Sequence, residues 1–220
     1  MDSGILNEEK TSPQQQTMRR YYRWQSAVYD LTRWSFLFGR NEILKRLPIR
    51  SDLKTMRLVE VGCGTGRNLK RLAGRHPYLL LTGLDVSADM LRRAAKSTAR
   101  YSERILLLEK PYEQFVSRPE QAPDIILFSY ALTMFNPGWE KAVRQAHADL
   151  AEDGYVAVVD FHDTFSGAFR WWMGKNHVRM DGHLLPLLES AFQTEYRSVR
   201  TAFFGLWRYV VFIGKKQRPS

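Results

Sequence analysis

Apolar residues along this chain follow two rhythms. From Thr17 to Leu47 aromatics and arginines crowd together, and Ala27, Leu31, Trp34 and Phe38 recur at helical spacing. Two helices are predicted there, stopping near Leu47-Pro48, because proline disfavours helix at the residue before it. Beyond that point short apolar runs alternate with helical stretches. Residues 57–61, 79–84, 105–108, 125–129 and 155–160 read as strands. Residues 67–75, 87–99 and 140–150 read as helices, with Ser87 as an N-cap. Strand and helix alternating at this spacing predict a doubly wound α/β sheet, and the nearly unbroken apolar strands suit parallel strands covered on both faces. The last third differs. Residues 168–180 are basic and aromatic, 184–192 are helical, and 195–203 and 207–213 flank Gly205 as an antiparallel pair at the sheet edge. The organisation expected is a flexible tail over 1–16 and one domain over 17–216. Within it, 17–50 form a helical lid and 163–183 an insertion facing the substrate or a membrane.

Composition narrows the classes. A chain of 220 residues suits one domain with a full core. Lys and Arg number 33 against 23 Asp and Glu, a net charge of +10 that favours an anionic partner. No apolar run approaches the roughly 20 residues that span a bilayer, and residues 1–16 lack the apolar core of a signal peptide. A cytoplasmic location is therefore expected. Cys63 is the single cysteine, which excludes an internal disulfide and a multi-cysteine zinc site; no metal is expected. Basic residues are scattered, without a recognition-helix or zinc-finger pattern, so no nucleic-acid partner is expected.

The candidate chemistry starts at Glu60-Val61-Gly62-Cys63-Gly64-Thr65-Gly66, a turn between the first strand and a helix. Its glycines allow positive φ and close approach of a ligand to the backbone. The third glycine comes one residue too early for the dinucleotide fingerprint, although the helix start can still cradle an anion. Asp85 ends the second strand, nineteen residues after Gly66. A carboxylate there can accept both hydroxyls of a ribose, or simply cap the helix that follows.

That loop and acid, with Leu84-Asp85-Val86-Ser87, Met90-Leu91, residues 124–129 and the turn 150–154, resemble the class I S-adenosylmethionine-dependent methyltransferases over about residues 20–214. The resemblance implies a Rossmann-like methyltransferase fold, with S-adenosyl-L-methionine as cofactor and S-adenosyl-L-homocysteine as product. It places Glu60, Gly62, Gly64, Thr65, Gly66 and Asn68 near the methionine part. Asp85, Val86 and Met90 fall near the ribose, and Glu109 and Lys110 near the adenine. Tyr29, Arg33, Ser129 and Tyr130 complete the implied cofactor set.

Three blocks bear on the methyl acceptor: Ser26–Arg40, the loop 129–134, and 159–161 with Phe169-Arg170-Trp171-Trp172-Met173 and His177-Val178. Together with Gly62–Leu69 they resemble the betaine-lipid N-methyltransferases. This second resemblance implies three successive methylations of the amine of diacylglyceryl-homoserine by an enzyme peripheral on the inner membrane face. A separate enzyme would supply the head group. Arg33, Arg40 and Arg170 are candidates for the head-group carboxylate, because a guanidinium fork matches it. Tyr22, Tyr29 and Tyr130 are candidates to face the methylammonium. Asp160 and His162 follow the fifth strand within reach of an amine. Trp171 and Trp172, among cations, suit a membrane interface, or one of them packs in the core; His177 lies beside them. Phosphatidylethanolamine and a soluble small molecule or quinone remain alternative acceptors.

Overall fold

The computed structural model describes residues 37–50, 55–135, 138–175 and 178–217. Tyr22, Tyr29, Arg33 and His177, the tail 1–16 and most of the lid 17–50 lie outside the described residues. The elements run α1 (Arg40–Arg46), β1 (Met56–Val61), α2 (Arg67–Arg75), β2 (Leu79–Asp85), α3 (Ala88–Thr98), β3 (Ile105–Glu109), β4 (Ile125–Ser129), α4 (Trp139–Asp149), β5 (Tyr155–Asp163), α5 (Gly167–Lys175), α6 (Leu184–Ala191), β6 (Gln193–Ala202) and β7 (Trp207–Lys215).

The seven strands form one sheet in the order β3-β2-β1-β4-β5-β7-β6. β1 to β5 are parallel, and β7 runs antiparallel between β5 and β6. This is the doubly wound sheet with a C-terminal antiparallel pair that the pattern predicts. Ile126, Phe128, Val156, Val158, Val210 and Phe212 are fully buried on its central strands. α2 turns Leu69, Leu72 and Ala73 inward, the spacing expected of one helical face. Ser87 caps α3 as expected, its Oγ accepting the Met90 N–H at 3.4 Å.

Register sets the parallel strand ends side by side. Val61 pairs with Leu84 and with Phe128, Asp85 with Glu109, and Ser129 with Val159. The carboxyl ends of β1 to β5 therefore make a common edge, where ligands of open α/β sheets bind. One strand runs longer than its polarity suggests. β5 continues through Asp160-Phe161-His162-Asp163 because β7 pairs with it there, Asp160 against Val210 and Asp163 against Arg208. Arg208 holds Asp163 with a two-pronged ion pair at that end.

Candidate active site

The glycine loop and the acid after β2 form one hydrogen-bonded unit. Gly62, Gly64 and Gly66 all have positive φ. They do different work. A Cβ on Gly66 would press on Ala94 at 3.0 Å and Thr98 at 3.2 Å, so this glycine lets α2 and α3 pack closely. A Cβ on Gly62 would meet Ala131 at 3.1 Å. The Gly64 backbone is covered, yet a Cβ there would meet nothing within 4 Å, leaving a small open cradle above the loop. Asp85 Oδ2 accepts the Gly64 N–H at 2.8 Å, and Oδ1 accepts the Ser87 N–H at 3.0 Å. Each carboxylate oxygen keeps a further lone-pair site for a hydroxyl donor.

Beside that acid, Val86 exposes an apolar side chain at the strand tip. Glu109 is exposed and Lys110 half-buried on the adjoining strand end, the Lys110 N–H donating to the Asp85 carbonyl. Beneath the loop, Glu60 and Asn68 are buried and joined, Asn68 Nδ2 donating to Glu60 Oε1 at 2.7 Å. Asn68 Oδ1 is buried without a hydrogen-bond partner. An open cradle, a half-exposed carboxylate and an apolar ledge in series fit a nucleoside with an amino-acid tail. Thr65 contributes its carbonyl to the Ser97 hydroxyl, and Met90, in the first turn of α3, is buried.

The other half of the edge lies at β4 and β5. Tyr130 adopts a φ of 58°, uncommon for a bulky residue, and its N–H donates to the Val159 carbonyl at 2.7 Å. Its ring is buried, and its hydroxyl donates to the Phe38 carbonyl at 2.8 Å. Arg40 Nε donates to Ser129 Oγ at 3.0 Å, and its guanidinium lies 5.8 Å from the Tyr130 ring centroid. Thus Arg40, Ser129 and Tyr130 come together, though they are far apart in sequence.

Asp160 does not face an acceptor. Its carboxylate is fully buried and receives Thr133 Oγ1 at 2.5 Å, the Thr133 N–H at 3.2 Å and the Phe161 N–H at 2.8 Å. It anchors the loop after β4, a role set by a partner 27 residues upstream. Burial pushes its pKa up to about 6, against the lowering effect of those donors. A carboxyl whose folded pKa is raised stabilises the fold fully below its unfolded value near 3.8, and that contribution is lost as pH rises towards 6. Asp160→Asn is therefore expected to flatten the dependence of stability on pH between those limits, as followed by urea denaturation at successive pH values.

His162 and His183 come together at the end of β5. Burial lowers the pKa of both, so both are neutral at pH 7. His183 Nδ1 shares a 2.5 Å hydrogen bond with Asp181 Oδ1, and its ring meets Trp139 edge-on at 4.6 Å. His162 Nδ1 and His183 Nε2 are buried without hydrogen-bond partners. From the sequence His183, like His177, is a weaker catalytic candidate that can simply cap or pack. Arg170 Nη2 donates to the Thr164 carbonyl at 2.5 Å. Trp171 and Trp172 are both exposed on α5, where Met173 supplies the buried contact. Of the two readings of this pair, an interface or one ring in the core, the second does not hold, because Met173 takes the core position.

This sheet order is that of the Rossmann-like methyltransferase fold. Residues 58–154 match the family described as methyltransferase domain. Among similar proteins, a trans-aconitate 2-methyltransferase of Paracidovorax citrulli is 27% identical over 135 residues, 61% of this chain and 49% of that protein. The chain spans about half the length of the curated relatives it matches. The N-methyltransferase NodS from Bradyrhizobium japonicum, in complex with S-adenosyl-L-homocysteine, superposes with a TM-score of 0.66 at 21% identity, over 82% of this chain and 87% of that one. The Burkholderia thailandensis 1,6-didemethyltoxoflavin-N1-methyltransferase, also with S-adenosylhomocysteine, gives 0.69 at 15% identity over 97% and 94%. Both of those structures hold S-adenosylhomocysteine, the product form of the cofactor that the sequence resemblance implies. Among the described residues no helix is long and apolar enough to cross a membrane, and no group of His, Cys, Asp and Glu could hold a metal ion.

Proposed function

We propose that this protein is an S-adenosylmethionine-dependent N-methyltransferase. The observation that carries the reading is the Gly64–Asp85 unit, with its open cradle and the exposed Val86 beside it. Asp85 would receive the ribose hydroxyls, Val86 and the Glu109-Lys110 end would flank the base, and the Gly62–Gly64 backbone would pass along the methionine part. The bound cofactor supplies a methyl group on a sulfonium, open to in-line displacement.

The acceptor we propose is an amine next to a carboxylate, and specifically the head group of diacylglyceryl-homoserine, trimethylated to the betaine lipid. Among the described residues, Arg40 is held at the end of β4, on Ser129 and beside Tyr130. A guanidinium there suits a carboxylate. An alkylammonium must shed a proton before it can attack. We assign that step to His162, whose lowered pKa favours the neutral ring and whose Nδ1 has no hydrogen-bond partner. Asp163, Arg208 and His183 are the charged or titratable groups acting on that ring. His162→Gln is expected to lower kcat by roughly a hundredfold. It should also remove the loss of rate on the acid side of the pH profile, a limb that lies below 6.5 because the pKa is lowered. An unchanged profile would assign His162 to packing alone.

The reading is tested by incubating the protein with labelled cofactor and the homoserine lipid, then following mass steps of one, two and three methyl groups. A soluble carboxylate acceptor is the second reading, favoured by the relatives named trans-aconitate 2-methyltransferase. Label entering trans-aconitate and not the lipid would establish it. Label entering phosphatidylethanolamine alone would remove the need for a carboxylate clamp.

A further inference from the structure

Along one rim beside the candidate site, large apolar side chains stand in solvent. Phe204 is 111% exposed, Phe165 79%, Trp171 63% and Trp172 45%. Leu206 and Phe38 are exposed too. Single exposed apolar residues are ordinary, but these are gathered. Thr164 Oγ1 donates to the Leu206 carbonyl at 2.5 Å, which ties the turn before α5 to the tip between β6 and β7. Arg170, from the first turns of α5, donates to the Thr164 carbonyl. The Arg208 guanidinium lies 5.0 Å from the Phe165 ring centroid. Phe203, next to Phe204, meets Phe38 edge-on at 5.4 Å, and the Phe38 carbonyl accepts the Tyr130 hydroxyl. The rim therefore runs from the hairpin tip to the end of β4.

Its charge is positive. Arg170, Lys175, Arg179 and Arg208 stand against Asp163 and Asp181, in a chain of net charge +10. Lys175 Nζ sits 3.8 Å from the Trp171 ring centroid, so a cation and an indole share one exposed spot. Phe203 and Phe204 also hold φ of 47° and 51°, a region that bulky residues rarely occupy. That strained turn keeps Phe204 pointing away from the core.

We propose that this rim docks on an anionic lipid bilayer. Phe165, Phe204 and Leu206 enter the head-group layer, Trp171 and Trp172 lie at its level, and Arg170 and Lys175 meet lipid phosphates. Indoles and cations alternating at one edge match the chemistry of that layer, which is amphipathic and negatively charged. The proposal deepens the lipid reading above and rests on it for its purpose: docking would bring the strand ends over the layer where a lipid amine lies.

Vesicle co-sedimentation without cofactor or acceptor tests it. The full chain is mixed with phosphatidylcholine vesicles, either pure or carrying about one quarter phosphatidylglycerol. Binding is expected to the anionic vesicles only, and to weaken as salt rises from about 0.05 M to about 0.5 M. Phe165→Glu/Phe204→Glu is expected to lower partitioning by roughly tenfold or more, with affinity for S-adenosylhomocysteine unchanged, which also verifies folding. The proposal is overturned if the unaltered chain ignores both vesicle types, or if the double variant binds them equally well. It is equally overturned if the rim instead mediates self-association that the variant abolishes, without vesicle binding. None of these outcomes touches the methyl-transfer reading, which is judged separately with detergent-dispersed acceptor.

Discussion

Replacing Asp85 by alanine is expected to weaken binding of S-adenosylhomocysteine by roughly a hundredfold or more. Two effects add. The variant loses the acceptor for the ribose hydroxyls, and hydrogen bonds to a charged group contribute about 1.5–3 kcal/mol each. It also releases the Gly64 N–H from the 2.8 Å bond that fixes the loop. The cradle above Gly64 then exists in only part of the population, which weakens the apparent affinity further. Asp85→Asn should fall between the two, because its carbonyl can still accept the Ser87 N–H while its amide cannot accept from Gly64. Titration calorimetry of the three proteins measures the series. Equal affinities would refute the ribose assignment and, with it, the link between the loop and the acid.

Trp207→Ala is expected to produce the largest loss of stability, about 3–5 kcal/mol. Trp207 is fully buried at the start of β7, among Phe38, Phe161, Phe203 and Tyr209, with ring centroids 5.1–6.4 Å away. Its removal leaves a cavity where the hairpin tip, β5 and the segment before α1 converge. Thermal unfolding should fall by roughly 10 °C for a chain of this length. Trp207→Phe should cost far less. It keeps most of the ring and deletes an indole Nε1 that is buried without a partner. A large loss for both variants would mean that indole size, and not filling in general, is what the cluster requires.

These positions differ in how visible they were beforehand. β1, the glycine loop and α2 were legible because each depends on neighbours within a few residues. The same holds for Ser87, whose cap bond reaches only three residues on. Asp85 was legible as an acid at a strand end, though its bond to Gly64 spans 21 residues and appears only in three dimensions. Asp160 misled for the same reason: its partner Thr133 lies across the sheet edge, so a buried anchor resembled an open acid. The extension of β5 came from pairing with β7, fifty residues later in the chain, which local polarity cannot report. His183 gained meaning only once Asp181, Trp139 and His162 stood around it. The exposed rim was half visible in Trp171-Trp172. Phe204 falls in the connection between the expected strands 195–203 and 207–213, and its outward position appears only in the turn at the hairpin tip.

The bond from Tyr130 to the Phe38 carbonyl carries a practical warning for anyone measuring rates. A phenylalanine in place of that tyrosine would slow turnover even if the hydroxyl never met a reactant, because the stretch leading into α1 would lose its mooring. Only a pair of readings, nucleoside affinity alongside turnover, can tell a slack tether from a missing reagent.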